Sequence, residues 1–247
     1  PKIPLAQLHE FLAQFSVADT LAIQDRDEQF LAIADARAHI SDNFPHPNSK
    51  NFFLLLVLQT ALLSYQVAHG PSRRAEIMPK ISQEFSTLST LGPDNADRRL
   101  DTMKKSQFNR RIYNLKSARA ARFSTQIRPQ IFDEIQTFDA DLPALQKILA
   151  SGMRQKPHEK TIVFAIKMFG YALRAAGHQD LIFPHEIPIP LDSRLLKIHA
   201  TLDHPTTIPA TDFFAQLAQK FQIPPLHLDA VLRLARRPQL QTRKNPS

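Results

Sequence analysis

The sequence predicts an all-α protein. Glycine is scarce at 5 residues while proline is frequent at 19. Apolar residues recur at helical spacing along most of the chain, and no segment alternates with the period of two that marks a half-buried strand. Few glycines argue against a sheet-rich fold with many tight turns, and frequent prolines suit helices that proline starts and stops. The 247 residues are 43% hydrophobic, enough for a sizeable core at this length.

The elements follow in order. Leu5, Leu8, Leu12 and Phe15 predict a first helix ending near Ser16. Phe30, Ile33, Ala34 and Arg37 mark the turns of a second over residues 29–40. Residues 42–51 hold two Pro and three Asn and read as a loop. Residues 52–67 form a buried helix closed by Gly70-Pro71. A short helix is expected over 77–85 and a turn-rich connection over 86–97. The stretch 98–122 is basic, with Arg98, Arg99, Lys104, Lys105, Arg110, Arg111, Lys116, Arg119 and Arg122 against the single acid Asp101. Phe108, Ile112, Leu115 and Ala118 give it an apolar stripe, so one face packs and the other presents cations. A short helix over 129–137 follows, then a helix over 142–150 entered through Pro143. Residues 151–159 are a polar connector with Gly152 and Pro157. A strong helix covers 160–176, an irregular Pro-rich segment 177–191, and further helices 192–202, 212–221 and 226–237. The organisation expected is a single helical catalytic domain over 1–237, with its hairpin and catalytic helix at 142–176, and a flexible polar basic tail over 238–247.

Bulk properties exclude several classes. The net charge of +8 suits a polyanionic partner, nucleic acid or an anionic membrane surface, and does not choose between them. With no Cys, disulfides, thiolate zinc sites and iron–sulfur clusters are ruled out. No run approaches the ~18 apolar residues of a membrane span. The N-terminal residues lack a signal-peptide layout. The ten His are dispersed without a metal-ligand spacing, so no metal is expected, and no Gly-rich phosphate loop or serine elbow is present.

Two residues invite a chemical reading. Lys160 begins a helix whose next residues, Thr161 to Phe169, are almost all apolar. The positive helix N-terminus and apolar surroundings both disfavour an ammonium and favour the neutral, nucleophilic amine. Phe164 shares its face at i+4, where an aromatic could stack on a flipped base, and Lys167 follows at i+7 as a rival amine deeper in the helix. Spacing alone favours plainer roles: a snorkelling lysine and a core phenylalanine. Asp192 follows the extended run Glu186-Ile187-Pro188-Ile189-Pro190-Leu191 and stands at a helix N-cap. Capping alone would explain it. It would also hold the carboxylate rigid and ionised, as a cationic transition state requires.

The segments around these residues resemble the archaeal-type 8-oxoguanine DNA glycosylases, N-glycosylase/DNA lyases of the helix-hairpin-helix superfamily. The runs Lys160-Thr-Ile-Val-Phe-Ala-Ile-Lys-Met168 and Ile187-Pro-Ile-Pro-Leu-Asp-Ser-Arg194 are specific to that resemblance. Pro224-Pro-Leu-His-Leu-Asp229, Asp27-Glu-Gln29-Phe30 and Lys105-Ser-Gln-Phe-Asn-Arg-Arg111 support it, in the same order over roughly 27–237. The resemblance implies a multi-helix helix-hairpin-helix glycosylase fold with two helical subdomains flanking an active-site cleft. It makes Lys160 the Schiff-base nucleophile and Asp192 its catalytic partner. Gln29, Phe164, Lys167, Asp229 and Arg233 would bind the base. Gly152, Arg154 and Lys156 of the hairpin, with Lys105, Arg110 and Arg111, would meet the DNA backbone.

One departure stands out. Family members line the base pocket with Trp, and this chain has none. Arg233 occupies the position four residues after Asp229 where one such Trp belongs, and Pro71-Ser-Arg-Arg-Ala75 replaces the segment expected to hold another. A planar guanidinium can also stack on a base. The implied activity is base-excision repair of an oxidised purine, with damaged DNA as the partner, no cofactor and a monomeric enzyme. Its expected place is the cytoplasm of a prokaryote, at the nucleoid. A non-catalytic helical DNA-binding protein on the same scaffold is the alternative. A membrane-surface protein would leave the Lys160 and Asp192 segments unexplained.

Overall fold

The computed structural model describes residues 2–43, 47–63, 113–205 and 207–234. Within them the chain is helical almost throughout. In order run β1 (Ile3–Pro4), α1 (Leu5–Leu12), α2 (Val17–Gln24), α3 (Glu28–Asn43), α4 (Ser49–Leu63) and α5 (Tyr113–Arg122). A π-helical stretch (Phe123–Ile127), α6 (Arg128–Ile131) and a 3₁₀ turn (Ile135–Asp139) lead into α7 (Leu142–Met153) and α8 (Lys160–Ala175). Then come α9 (Ser193–Thr201), β2 (Leu202–Asp203), α10 (Ala210–Phe221) and α11 (Pro225–Leu234). Contacts divide the chain into two compact units, Pro1–Arg26 with Ile182–Ser247, and Asp27–Leu181. No helix among the described residues is long and apolar enough to cross a membrane.

The Asp27–Leu181 unit is built on α8, which packs on α4, α3 and α7. Every residue of α4 from Asn51 to Leu63 is buried. A helix apolar on all sides belongs in a core, and α4 is wrapped accordingly. Between Thr161 and Arg174, only Phe164 is not buried. Helix α3 is longer than its periodicity implied, running to Asn43, and α4 begins at Ser49, so the expected loop shrinks from both sides. The expected short helix over 129–137 resolves into α6 and a separate 3₁₀ turn. Pro129 sits in the first turn of α6, where it lacks the N–H that would continue an α pattern, and the π stretch immediately precedes it.

The described end of the basic stretch is partly structural. Arg119, expected among the presented cations, is buried and its Nη1 donates to the Leu62 carbonyl at 3.2 Å. Arg122 Nη1 donates to the Met153 carbonyl at 3.2 Å, satisfying the end of α7. Ala118, assigned to the apolar stripe, is exposed. Residues 98–111, including Lys105, Arg110 and Arg111, lie outside the described residues, as does the tail over 238–247.

Helix α7 runs to Met153, three residues beyond the expected end. Gly152 is buried in its last turn rather than displayed in the connector. Packing is the reason: a Cβ built there would stand 2.3 Å from Ile127 Cγ1. We expect Gly152→Ala to destabilise the protein by about 1–2 kcal/mol. An overpacking cost of about 1–3 kcal/mol exceeds the helix-propensity gain of about 0.5–1 kcal/mol. Chemical denaturation measures it, and the cost should shrink when Ile127→Ala makes room.

The other unit has its own core. Leu8 and Leu12 of α1, Leu195 of α9, Phe213, Phe214 and Leu217 of α10, and Leu228, Val231 and Leu232 of α11 form one buried cluster. Helix α2 packs on α11. Ser16 starts α2 with a capping box: its side chain accepts from the Asp19 N–H, and the Asp19 carboxylate accepts from the Ser16 N–H. The only strand pairing described, Ile3 with Leu202 and Pro4 with Asp203 in parallel, ties the N-terminal residues to the end of α9.

Candidate active site

Each unit contributes one group of the expected site residues. In the Asp27–Leu181 unit, α7 and α8 form a helical hairpin. Arg154 closes α7 in the left-handed conformation at φ 54°. The Gln155 N–H donates to the Ala150 carbonyl at 2.9 Å and the Arg154 N–H to the Ser151 carbonyl at 3.0 Å, consuming the orphan acceptors of the helix end. Gln146 Nε2 donates to the Pro157 carbonyl at 2.9 Å, fastening the turn to the helix behind it. Gln155 Nε2 donates to Glu159 Oε2 at 2.8 Å across the turn. The hairpin turn is therefore 154–159, shorter than the 151–159 expected, with Arg154, Lys156 and His158 exposed. Gly152 belongs to the helix and not to this exposed turn.

Lys160 is the first residue of α8 and is exposed. Its apolar successors turn into the core and leave the amine in solvent, so the desolvation expected from them does not arise. What remains is its place at the positive end of a helix of four turns. One turn on, Phe164 is half-buried on the same face, alone among neighbours that are fully covered. A purely core phenylalanine would not be left so.

Lys167, by contrast, has no exposed surface and its Nζ lies 5.6 Å from the centre of the Tyr171 ring, a cation–π contact. The Tyr171 hydroxyl donates to Asp27 Oδ2 at 3.2 Å. The other oxygen, Asp27 Oδ1, accepts the Gln29 N–H at 2.9 Å. Asp27 thus ties the start of α3 to Tyr171, the ring on which Lys167 stacks. Gln29 is buried, and its Oε1 has no hydrogen-bond partner among the described residues. A buried amide oxygen left open is costly unless something supplies a donor.

In the other unit Asp192 takes the N-cap position expected of it. Its backbone is extended at φ −119° and ψ 174°, and Oδ1 accepts the Leu195 N–H at 2.9 Å. Oδ2 stands 3.6 Å from Arg194 Nη2. The same nitrogen donates to Asp229 Oδ1 at 2.6 Å. Asp229 Oδ2 pairs with Arg233 Nη2 at 3.4 Å, one turn along α11. Asp229 is 1% exposed, and a buried carboxylate persists only when paired; here each oxygen faces a guanidinium. Arg233 is thereby held on Asp229 with part of its side chain exposed. In the sequence Arg194 is only the last residue of the run that begins at Ile187. Its bridging place follows from Asp229, distant in the chain, and no local signal announces it.

No group of three or more His, Asp or Glu among the described residues could hold a metal ion. The two adjacent histidines of the α9 end, His199 and His204, are used within the fold. The His204 ring nitrogens stand 2.9 Å from the Pro205 and His199 carbonyl oxygens, and the ring stacks on Phe213.

Comparison with known proteins gives the family. Residues 9–246 match the family model described as AGOG, N-glycosylase/DNA lyase. An N-glycosylase/DNA lyase of Nanoarchaeum equitans is 34% identical over 226 residues, covering 91% of this chain and 88% of that protein. One of Methanococcus maripaludis is 26% identical, with 92% and 87% covered. The fold is similar to the crystal structure of an 8-oxoguanosine-complexed 8-oxoguanine DNA glycosylase, Pa-AGOG of Pyrobaculum aerophilum. There the TM-score is 0.71 at 22% identity, over 94% of this chain and 86% of that one.

Proposed function

The chain belongs to the AGOG family of N-glycosylase/DNA lyases, and from that premise we propose that it excises an oxidised purine, 8-oxoguanine, through a Schiff base on Lys160. The observation that supports this most is an exposed Lys160 with a half-buried Phe164 on the same face of a helix otherwise buried to Arg174. An amine in solvent and a partly covered aromatic ring one turn on, at the start of such a helix, suit an electrophilic sugar carbon and a flipped base.

The target C1′ is unreachable inside a base stack, so the nucleotide must be flipped out. The glycosidic bond then breaks through an oxocarbenium-like state, and the Asp192 carboxylate offsets the developing positive charge. The Lys160 amine bonds to C1′ as the base departs, and opening of the sugar leaves an imine. Loss of a C2′ proton and of the 3′ phosphate then nicks the strand. Gln29, Phe164, Lys167, Asp229 and Arg233 hold the base: Phe164 and Arg233 by stacking, Asp229 by accepting, Lys167 by donating and Gln29 through its open amide oxygen. Arg154 and Lys156 of the hairpin turn, together with Lys105, Arg110 and Arg111, neutralise backbone phosphates. The 8-oxoguanine assignment draws on the relative of similar fold. The setting follows the family: a monomer acting on chromosomal DNA in a prokaryotic cytoplasm.

Borohydride reduction tests the reading, because it converts the imine into a stable secondary amine. The enzyme incubated with a duplex containing 8-oxoguanine should yield a covalent protein–DNA adduct. Tight binding to damaged duplexes without any adduct would instead identify a non-catalytic DNA-binding protein.

A further inference from the structure

We infer that Arg194 is a positioning residue that ties the carboxylate of Asp192 to that of Asp229, so that one guanidinium serves both the group at the sugar and the group at the base. The inference rests on the roles proposed above for those two aspartates. Asp192 has a partner on each oxygen: Oδ1 accepts the Leu195 N–H at 2.9 Å, and Oδ2 faces Arg194 Nη2 at the ion-pair distance of 3.6 Å. A capping aspartate needs only the first of these. The second keeps a cation beside the remaining oxygen. Yet the same Nη2 bonds Asp229 more closely, at 2.6 Å. The two carboxylates therefore share a single nitrogen, and whatever donates to Asp229 alters the share left to Asp192.

Three further observations fit a bridge and not a simple surface ion pair. Asp229 is 1% exposed, so Arg194 reaches from a partly exposed Asp192 to a buried carboxylate. Arg194 Nη1 is buried and has no hydrogen-bond partner among the described residues, so the guanidinium is committed through Nη2 and keeps a donor in reserve. Arg233 pairs with the opposite oxygen of Asp229, which leaves that carboxylate anchored when Arg194 moves. A base that donates to Asp229 would release Arg194 towards Asp192, linking recognition to bond cleavage.

Single-turnover excision from the 8-oxoguanine duplex separates maximal rate from half-saturating enzyme concentration. Arg194→Met should lower the maximal rate about tenfold to a hundredfold and change half-saturation less than about threefold, the signature of an interaction lost in the transition state. Asp229→Asn should lower the rate in the wild-type background and add less than about threefold in the Arg194→Met background, because residues in one network do not act independently. Arg194→Lys, which restores the cation, should recover at least about fivefold over Arg194→Met. If Arg194→Met does not fold, the same cycle is run with Arg194→Lys, expected to lie between wild type and Asp229→Asn in rate. An undiminished rate in the Arg194 variants, multiplicative losses with Asp229→Asn, or no recovery by lysine would overturn the inference. Failure of the wild type to form an adduct would instead sink the enzymatic reading beneath it, and the inference with it.

Discussion

Lys160→Gln is expected to abolish the borohydride-trapped adduct and strand nicking while leaving folding and DNA binding intact. Losing a covalent nucleophile costs on the order of 10⁴- to 10⁶-fold in rate. The structural cost should be slight. Lys160 is exposed at the first position of α8, and exposed substitutions usually move stability by no more than about 0.5 kcal/mol. The sign should even be favourable, since a cation at a positive helix end is mildly repelled, by about 0.3–1 kcal/mol. A thermal midpoint at or slightly above that of the wild type, with no adduct, is the expected pair of results. An adduct that survives Lys160→Gln and disappears in Lys167→Gln would move the nucleophile into the core.

Asp192→Asn should slow base excision by about 10²- to 10³-fold, the usual effect of removing one preorganised electrostatic group. Asparagine caps a helix as well as aspartate does, so the bond to the Leu195 N–H can persist and α9 should keep its start. The substitution thereby separates charge from capping. Asp192→Ala removes both and should additionally cost about 1 kcal/mol of stability. Measured by single-turnover excision and denaturant unfolding, equal rates in the wild type and Asp192→Asn would reduce Asp192 to a helix cap.

Much of this was readable in the sequence because apolar residues declare themselves. Helices α4 and α8 are apolar nearly all round, and their burial follows from composition alone. Asp192 after a Pro-rich extended run announced an N-cap. Helix α2 did not register, because the residues it buries are Thr20 and Gln24. Those two satisfy themselves by hydrogen bonding, Thr20 to the Val17 carbonyl and Gln24 to the Leu226 carbonyl, so no hydrophobic period appears. The capping box at Ser16 and Asp19 was the one local signal for it. Strands of two residues are too short to show alternation. Gly152 was misleading as a helix breaker, because its reason for being glycine is Ile127 in another element.

The site divides along the same line. Lys160 and Phe164 lie one turn apart, so their shared face could be read from spacing. Arg194 and Asp229 meet only through the packing of the unit that holds residues 182–247, and Tyr171 and Asp27 only through that of the Asp27–Leu181 unit. Composition was a poor guide to Arg119, whose charge counts towards +8 yet is spent inside the fold on a backbone carbonyl. Long-range polar contacts of this kind have no periodic signature.

The most direct measurement is the identity of the residue that joins the DNA. The enzyme is trapped with borohydride on an 8-oxoguanine duplex, digested with protease and nuclease, and the modified peptide is sequenced by mass spectrometry. The expected result is a sugar remnant on Lys160 alone. A remnant on Lys167 or any other amine, with Lys160 unmodified in the trapped adduct, would contradict the account.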